Sequence, residues 1–247
     1  MMDKLIGICL FFLLFSSVTQ ADVLGFSVGV DYFNYDMSGE VRSPVAADGA
    51  VNIDFDDSND VNFYAQLEHP VPFLPNVKLQ QNNLQADGLI PLSDPGFLGG
   101  ATVFVSGDID LSHTDVVLYY EILDNWVNLD LGLSAKYFDG YTRFELESQG
   151  QLVIDDESDF DDWIPRVYAK AQFDLPFTGF SAAATVEALS FDSNKVVDLD
   201  LALKYQSDFG FGADLGYRSL DVDLRNSNSF NSDLKTDGFY LGANFSF

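Results

Sequence analysis

The stretch Gly238-Phe239-Tyr240-Leu241-Gly242-Ala243-Asn244-Phe245-Ser246-Phe247 decides how the rest of the chain is read. Phe239, Leu241, Ala243, Phe245 and Phe247 share one parity, and Gly238, Tyr240, Gly242, Asn244 and Ser246 share the other. Successive side chains of a strand point to opposite faces, so this is a strand with one apolar face and one small, polar face. Termini of soluble domains tend to fray. A closed membrane barrel, by contrast, needs its last strand to pair with its first. Two readings follow from the stretch alone: the seam of a barrel, or a solvent-facing edge strand of a soluble sandwich.

The opening residues point to an envelope compartment. Met1-Met2-Asp3-Lys4 carries one base, residues 5–15 are almost wholly apolar, and Thr19 and Ala21 stand at −3 and −1 of a cut before Asp22. This is the pattern of a secretory signal peptide over 1–21, too short for a membrane-spanning helix. Cys9, the only cysteine, lies in the apolar run after Ile8, where a lipoprotein site wants a small residue. The mature chain, residues 22–247, therefore lacks thiols and disulfides. Loss of Asp3 and Lys4 leaves the net charge at −27. Such acidity argues against nucleic acid or acidic lipid as partners. Aromatics make up 15% of residues, unlike the composition of disordered chains. No later apolar run reaches the length of a membrane helix, but barrel strands give only a weak hydropathy signal.

The two-residue period recurs along the chain. Leu24, Phe26, Val28, Val30 and Tyr32 alternate with Gly25, Ser27, Gly29 and Asp31. Val61 to Leu67, Val127 to Tyr137, Val167 to Leu175, Phe180 to Ala188, Val197 to Tyr205 and Phe209 to Tyr217 repeat the pattern. A third strand is expected over 77–86. A fourth, over 102–122, changes its apolar parity between Ile109, Leu111 and Val116, Leu118. A bulge near His113 would explain that, and so would an upper part standing clear of the membrane. Residues 37–59, 88–100 and 225–236 read as loops, and 139–162 as a projecting hairpin. The expectation is an all-β transmembrane antiparallel up-and-down barrel of about ten strands, within a range of roughly eight to twelve. Turns near 70–76, 123–125, 176–179 and 207–208 are short, and most other connections are long and acidic. That rhythm, with aromatics gathered at both strand ends, matches short periplasmic turns, external loops and two interfacial girdles.

On these residues the chain resembles a family of single-domain Gram-negative outer-membrane barrels of about this length that end in Phe. The likeness rests on Glu68-His69-Pro70-Val71-Pro72-Phe73-Leu74-Pro75-Asn76, on Leu118-Tyr119-Tyr120-Glu121-Ile122-Leu123-Asp124-Asn125-Trp126, on the run from Tyr168 to Gly179, and on Phe247. The resemblance implies an outer-membrane location, lipid and lipopolysaccharide around the barrel, and an assembly machinery that reads the C-terminal strand. It implies no activity and no catalytic residue. A monomer is expected.

Parity assigns the chemistry. The inward charges are Lys78, Lys136, Arg166, Lys170, Lys204 and Arg218 against Glu68, Asp130, Asp174, Glu187, Asp198, Asp200 and Asp214. Opposite charges in a narrow lumen either pair and plug it or line a narrow porin-like channel that selects solutes. Surplus acid sits in loops: Asp54, Asp56 and Asp57 in one cluster, Asp155, Asp156 and Asp159 in another. Such carboxylates are candidate ligands for Ca²⁺ or Mg²⁺, although no EF-hand spacing is present. No other cofactor is implied. His113 stands near Ser112 and Asp115, but neighbours on a strand face opposite ways, so no triad follows. The reading is a non-enzymatic structural or surface barrel of the cell envelope. The alternatives are a passive channel and, third, a hydrolase at the rim.

Overall fold

The computed structural model describes residues 24–42, 50–93, 102–148, 151–191, 194–224 and 232–247. Side chains are described for these except at 41–42, 50–54, 90–93, 102–104, 146–148, 151–156, 191 and 232. The signal peptide expected over 1–21 lies outside the described residues. Among the described residues, thirteen strands form one antiparallel sheet: β1 (Gly25–Arg42), β2 (Ala50–Asp54), β3 (Ser58–Glu68), β4 (Asn76–Asn82), β5 (Gln85–Ser93), β6 (Thr102–Asp110), β7 (His113–Leu123), β8 (Val127–Ser148), β9 (Gln151–Asp174), β10 (Phe180–Phe191), β11 (Asn194–Gln206), β12 (Phe211–Leu224) and β13 (Ser232–Ser246). Pairs β2/β3, β4/β5 and β6/β7 are successive halves of three staves, so the closed ring has ten: β1-β3-β4-β7-β8-β9-β10-β11-β12-β13 and back to β1.

The seam is the C-terminal stretch. β13 pairs with β1 from Ser27↔Ser246 to Val41↔Ser232. Phe26 and Phe247 exchange backbone hydrogen bonds of 2.8 and 2.9 Å, and the Ser27 hydroxyl reaches that of Ser246 at 2.9 Å. Closure of this kind is the only way a sheet can satisfy its backbone groups inside lipid.

The outer face explains why the apolar parity points away from the lumen. Val30, Leu79, Leu118, Leu131, Leu203 and Leu241 are exposed around the belt. Linked aromatics bound it below: Phe26 with Phe247 at 5.2 Å, Phe211 with Phe245 at 5.0 Å, and Phe180 with Tyr205 at 4.9 Å between ring centroids. Above, Tyr137 packs on Trp163 at 4.9 Å and Tyr217 on Phe239 at 5.3 Å. Two such girdles mark the two membrane interfaces.

Beyond the upper girdle the staves continue, and there the sequence reading needs correction. Much of 37–59 is strand, because β1 runs to Arg42 and β2 pairs Ser38↔Asp54 to Arg42↔Ala50. The expected loop at 88–100 is strand as far as Ser93. Pro91 is tolerated because, among the described residues, β5 carries a ladder on its β6 side only. Likewise β13 begins at Ser232, within the expected loop 225–236. The projecting hairpin expected over 139–162 is present, as a ladder from Val127↔Phe173 to Ser148↔Gln151 with a register shift between Leu146 and Glu147. On its outer face Glu157 holds the Arg143 guanidinium above its ordinary pKa by hydrogen bonding.

The parity change in the fourth stave has a different cause from a bulge at His113. Val105, Ile109, Leu111, His113, Asp115, Val117 and Tyr119 are all buried and all odd. The inward face is the same throughout, and its chemistry changes from apolar above to polar below. The register shift lies instead between Glu121 and Leu123.

Inside the belt, glycines make room for tyrosines. Gly29 pairs with Tyr64, Gly216 with Tyr240, and Gly132 with both Tyr119 and Tyr168. A Cβ on Gly216 would lie within the Tyr240 ring, so the ring lies flat where a side chain would otherwise stand. Gly216→Val should therefore destabilise the barrel by about 1–3 kcal/mol, measured by urea unfolding in lipid vesicles. Adding Tyr240→Ala should recover part of that loss; no recovery would mean the ring is not what the valine displaces.

Candidate functional site: a layered lumen

Three zones stack along the lumen. The uppermost is an apolar core above the lipid belt, built from inward positions such as Phe33, Met37, Ile109, Phe138, Phe160 and Leu220. Solvent-exposed strand ends here bury apolar groups inward, as any soluble sheet does, because no lipid lies outside them.

Beneath it lies a belt of buried ion pairs. Arg166 Nη2 stands 2.5 Å from Asp115 Oδ1 and 2.7 Å from Glu187 Oε2. Lys136 Nζ bridges Asp115 at 3.1 Å and Asp198 at 3.4 Å. Arg218 grips Asp198 with two hydrogen bonds, 2.9 Å from Nε and 2.6 Å from Nη2. The Asn82 amide donates to Asp115 Oδ2 at 2.9 Å and accepts from Arg218 Nη1 at 2.5 Å. Three cations thus meet three carboxylates, supplied one each by β7 to β12, with Asn82 from β4. Lys136 and Asp115 are 0% and 1% exposed, so these groups fill the cross-section rather than lining a water column. Pairing with further hydrogen bonds is what makes such burial tolerable. The two upper zones touch: the Phe138 ring lies 5.3 Å from that of His113 and 5.7 Å from Lys136 Nζ.

Below the belt the lumen opens. A cavity of about 90 Å³ is lined by Lys78, Asp200, Lys204 and Asp214. It leads to a vestibule of about 550 Å³ at the short-turn end, lined by Glu68, Asp130, Lys170 and Asp174. Lys170 reaches Asp130 at 3.2 Å. Asn128 and Gln172 donate to Asp174 at 2.7 and 2.8 Å, and the Tyr119 hydroxyl donates to Glu68 at 2.9 Å.

Every inward charge named from parity lies in one of these lower two zones. The belt's hub, Asp115, was not among them. Its signal was present, since Asp115 is odd where Val116, Leu118 and Tyr120 face lipid, but the apparent parity change concealed it. Asn82 and Glu121 were missed because a neutral or isolated polar residue on an inward face carries no pattern of its own, whereas Asp31 stood on the inward parity of β1 beside Gly29 and was left out of the charges drawn from it.

His113 belongs to the belt's roof. Its Nδ1 stands 2.8 Å from the Leu111 carbonyl, and Nε2 lies 3.5 Å from Asp115. The Ser112 hydroxyl turns away and accepts from the Leu84 amide at 3.1 Å. Among the described residues, His113, Asp115 and Asp198 are the group close enough to hold a metal ion. They do not fit one, because Lys136, Arg166 and Arg218 already neutralise both carboxylates. Of the expected loop ligands, Asp56, Asp57 and Asp159 are exposed, and no metal-holding group forms around them among the described residues. The side chains of Asp54, Asp155 and Asp156 lie outside the described residues.

No protein-family model and no curated protein matches this sequence. Among solved structures, the outer-membrane protease OmpT of Escherichia coli is similar over 94% of this chain and 99% of its own, with a TM-score of 0.56 at 8% identity. The translocator domain of the autotransporter NalP from Neisseria meningitidis covers 100% of this chain and 95% of its own at a TM-score of 0.48 and 11% identity. The attachment invasion locus protein Ail of Yersinia pestis covers 91% and 99% at 0.39 and 13%. At such identity the likeness to OmpT shows the fold alone. With the closed seam, the lipid belt and both girdles, the chain is an integral β-barrel of the Gram-negative outer-membrane class.

Asp115→Asn would leave Lys136 and Arg166 short of a charge partner in a dry layer. Its expected effect is a loss of about 3–5 kcal/mol, read by urea unfolding through Trp126 and Trp163 fluorescence. Asp56→Asn, at an exposed position between β2 and β3, should stay within about 0.5 kcal/mol of the parent.

Proposed function

We propose that this protein is a closed, non-catalytic barrel that serves the outer membrane as a structural or surface element rather than as a pore. The observation that carries this reading is the stack of a neutral ion-pair belt under an apolar core, both built from side chains of the wall itself. A conducting lumen needs a continuous polar path of loosely held groups. Here Arg166 is 2% exposed and Lys136 fully buried, and both are engaged by carboxylates on neighbouring strands, Glu187 and Asp115 respectively. The reading as a channel for small solutes would require that belt to part. The reading as a rim hydrolase finds no support in His113, which is 2% exposed beneath the apolar core with Nδ1 at the Leu111 carbonyl.

The exposed carboxylates beyond the upper girdle, Asp56, Asp57 and Asp159 among them, fit a role at the cell surface. Divalent cations there would bridge the acidic barrel to lipopolysaccharide phosphates by charge, without a dedicated coordination cage.

In planar bilayers the purified barrel should give no stepwise current, and liposomes containing it should not swell in small sugars. Reproducible single-channel steps from the unaltered protein would sink the closed-barrel reading.

A further inference from the structure

Three of the short turns repeat one feature. Val71-Pro72-Phe73-Leu74 and Leu175-Pro176-Phe177-Thr178 are β-turns, closed by hydrogen bonds from the Leu74 amide to the Val71 carbonyl at 3.4 Å and from the Thr178 amide to the Leu175 carbonyl at 3.3 Å. Ser207-Asp208-Phe209-Gly210 is closed in the same way at 3.0 Å. Each places a phenylalanine at its third position. Phe73 is 96% exposed, Phe209 is 85% exposed and Phe177 is wholly exposed, so the protein itself covers almost nothing of these rings. Two of them also adopt a backbone that phenylalanine avoids: Phe73 and Phe177 both have φ of 67°. A turn with proline second and positive φ third ordinarily takes glycine or asparagine at the third position. The same end of the barrel does use glycine for left-handed backbone, at Gly179 (φ 74°) and Gly210 (φ 85°). A bulky side chain held there is strained, and a ring left in water does nothing to offset the strain. Burial of the ring outside the protein would.

The position of the turns names what covers them. They continue the lipid-facing wall: Phe177 stands three residues before Phe180 of the lower girdle, and Phe209 two before Phe211. The Tyr120 hydroxyl, on the lipid-facing parity of β7, donates to the Phe73 carbonyl at 2.8 Å and ties that turn to the outer face. A strand advances about 3.3 Å per residue along its own axis, and less along the membrane normal when tilted. Headgroups add roughly 5–7 Å outside the hydrocarbon on each side. Turn residues two or three positions past the girdle therefore stand in the headgroup layer. Composition agrees: 70–75 and 175–180 carry no charge, in a chain of net charge −27, and 207–210 carries only Asp208.

We propose that these turns are membrane anchors: they dip into the phospholipid leaflet at the short-turn end, with Phe73, Phe177 and Phe209 seated at the boundary between headgroups and acyl chains. Aromatic rings partition to that boundary. The girdles are strand residues that mark where the wall leaves the hydrocarbon. The turn phenylalanines form a further tier beyond the lower girdle and hold the barrel at a fixed depth. This seating does not depend on whether the lumen conducts.

The test uses nitroxide labels. Residues 22–247 hold no cysteine, so Phe73→Cys, Phe177→Cys, Phe209→Cys and, as a reference at the other end, Asp56→Cys each give one labelling site. The labelled barrels are refolded into vesicles of phosphatidylethanolamine and phosphatidylglycerol. Electron paramagnetic resonance then reads collisions of each label with oxygen, which enters lipid, and with a water-soluble nickel chelate present on both sides. Collisions with the chelate should be several-fold fewer at 73, 177 and 209 than at 56, with collisions with oxygen retained. Chelate access equal to that at 56 would overturn the anchors and leave the rings to a soluble partner. Shielding from both probes would overturn them too, in favour of contact between copies of the chain. Heat-modifiable gel migration checks folding; should the two left-handed positions fail it, Phe209→Cys, which relieves no such strain, decides.

Discussion

A sheet that crosses a bilayer has no water to complete its hydrogen bonds, and from that constraint the rest of this structure follows. The seam between β1 and β13 must close, so the C-terminal stretch is strand to its end, with Ser246 paired to Ser27 and Phe247 to Phe26. Closure fixes which way every side chain points. Once the apolar parity is committed to lipid, the opposite parity is forced into a lumen of ten strands. There polar groups must find one another, because bulk water does not reach them at belt level. The ion pairs of Asp115, Lys136, Arg166, Glu187, Asp198 and Arg218 are the consequence of that closure, and their mutual neutrality is the condition on which it is stable.

The same constraint explains why the interior inverts along the barrel axis. Within the lipid belt, apolar residues face out and charges face in. Beyond the upper girdle lipid no longer lies outside, and the apolar residues move inward: Phe33 and Met37 on β1, Ile109 and Leu111 on the fourth stave, Leu220 and Leu224 on β12. No residue changes face to achieve this. The ladder runs on with one parity inward, and the sequence changes which parity carries the hydrophobes.

This inversion set the limit of what the sequence disclosed. The lipid belt was legible because alternation against lipid is strict, and ten staves, four short turns and the seam could all be read from it. Strand ends beyond the belt were not, since Asp and Gly no longer conflict with strand where the outer face meets water. Residues 37–42 and 88–93 therefore looked like loop. The same effect made the fourth stave seem to slip register, and it hid Asp115, the residue most engaged in the belt. Inward charges flanked by strict alternation, such as Lys136, Arg166 and Arg218, were visible one by one. Their pairing was not, because it joins residues up to 103 positions apart (Asp115 with Arg218, at 4.0 Å).

The two polar zones of the lumen differ in a way that bears on function. In the belt, charge is matched strand by strand and every carboxylate is held by cations of the protein itself. Arg166 Nε and Nη1 have no hydrogen-bond partner of their own, but they are enclosed within the layer, and a solute would have to break several buried pairs at once to pass. In the vestibule the carboxylates outnumber the lysines and water has access. Matched charge closes the lumen at belt level; unmatched charge lies at its open end, where water and salt screen it.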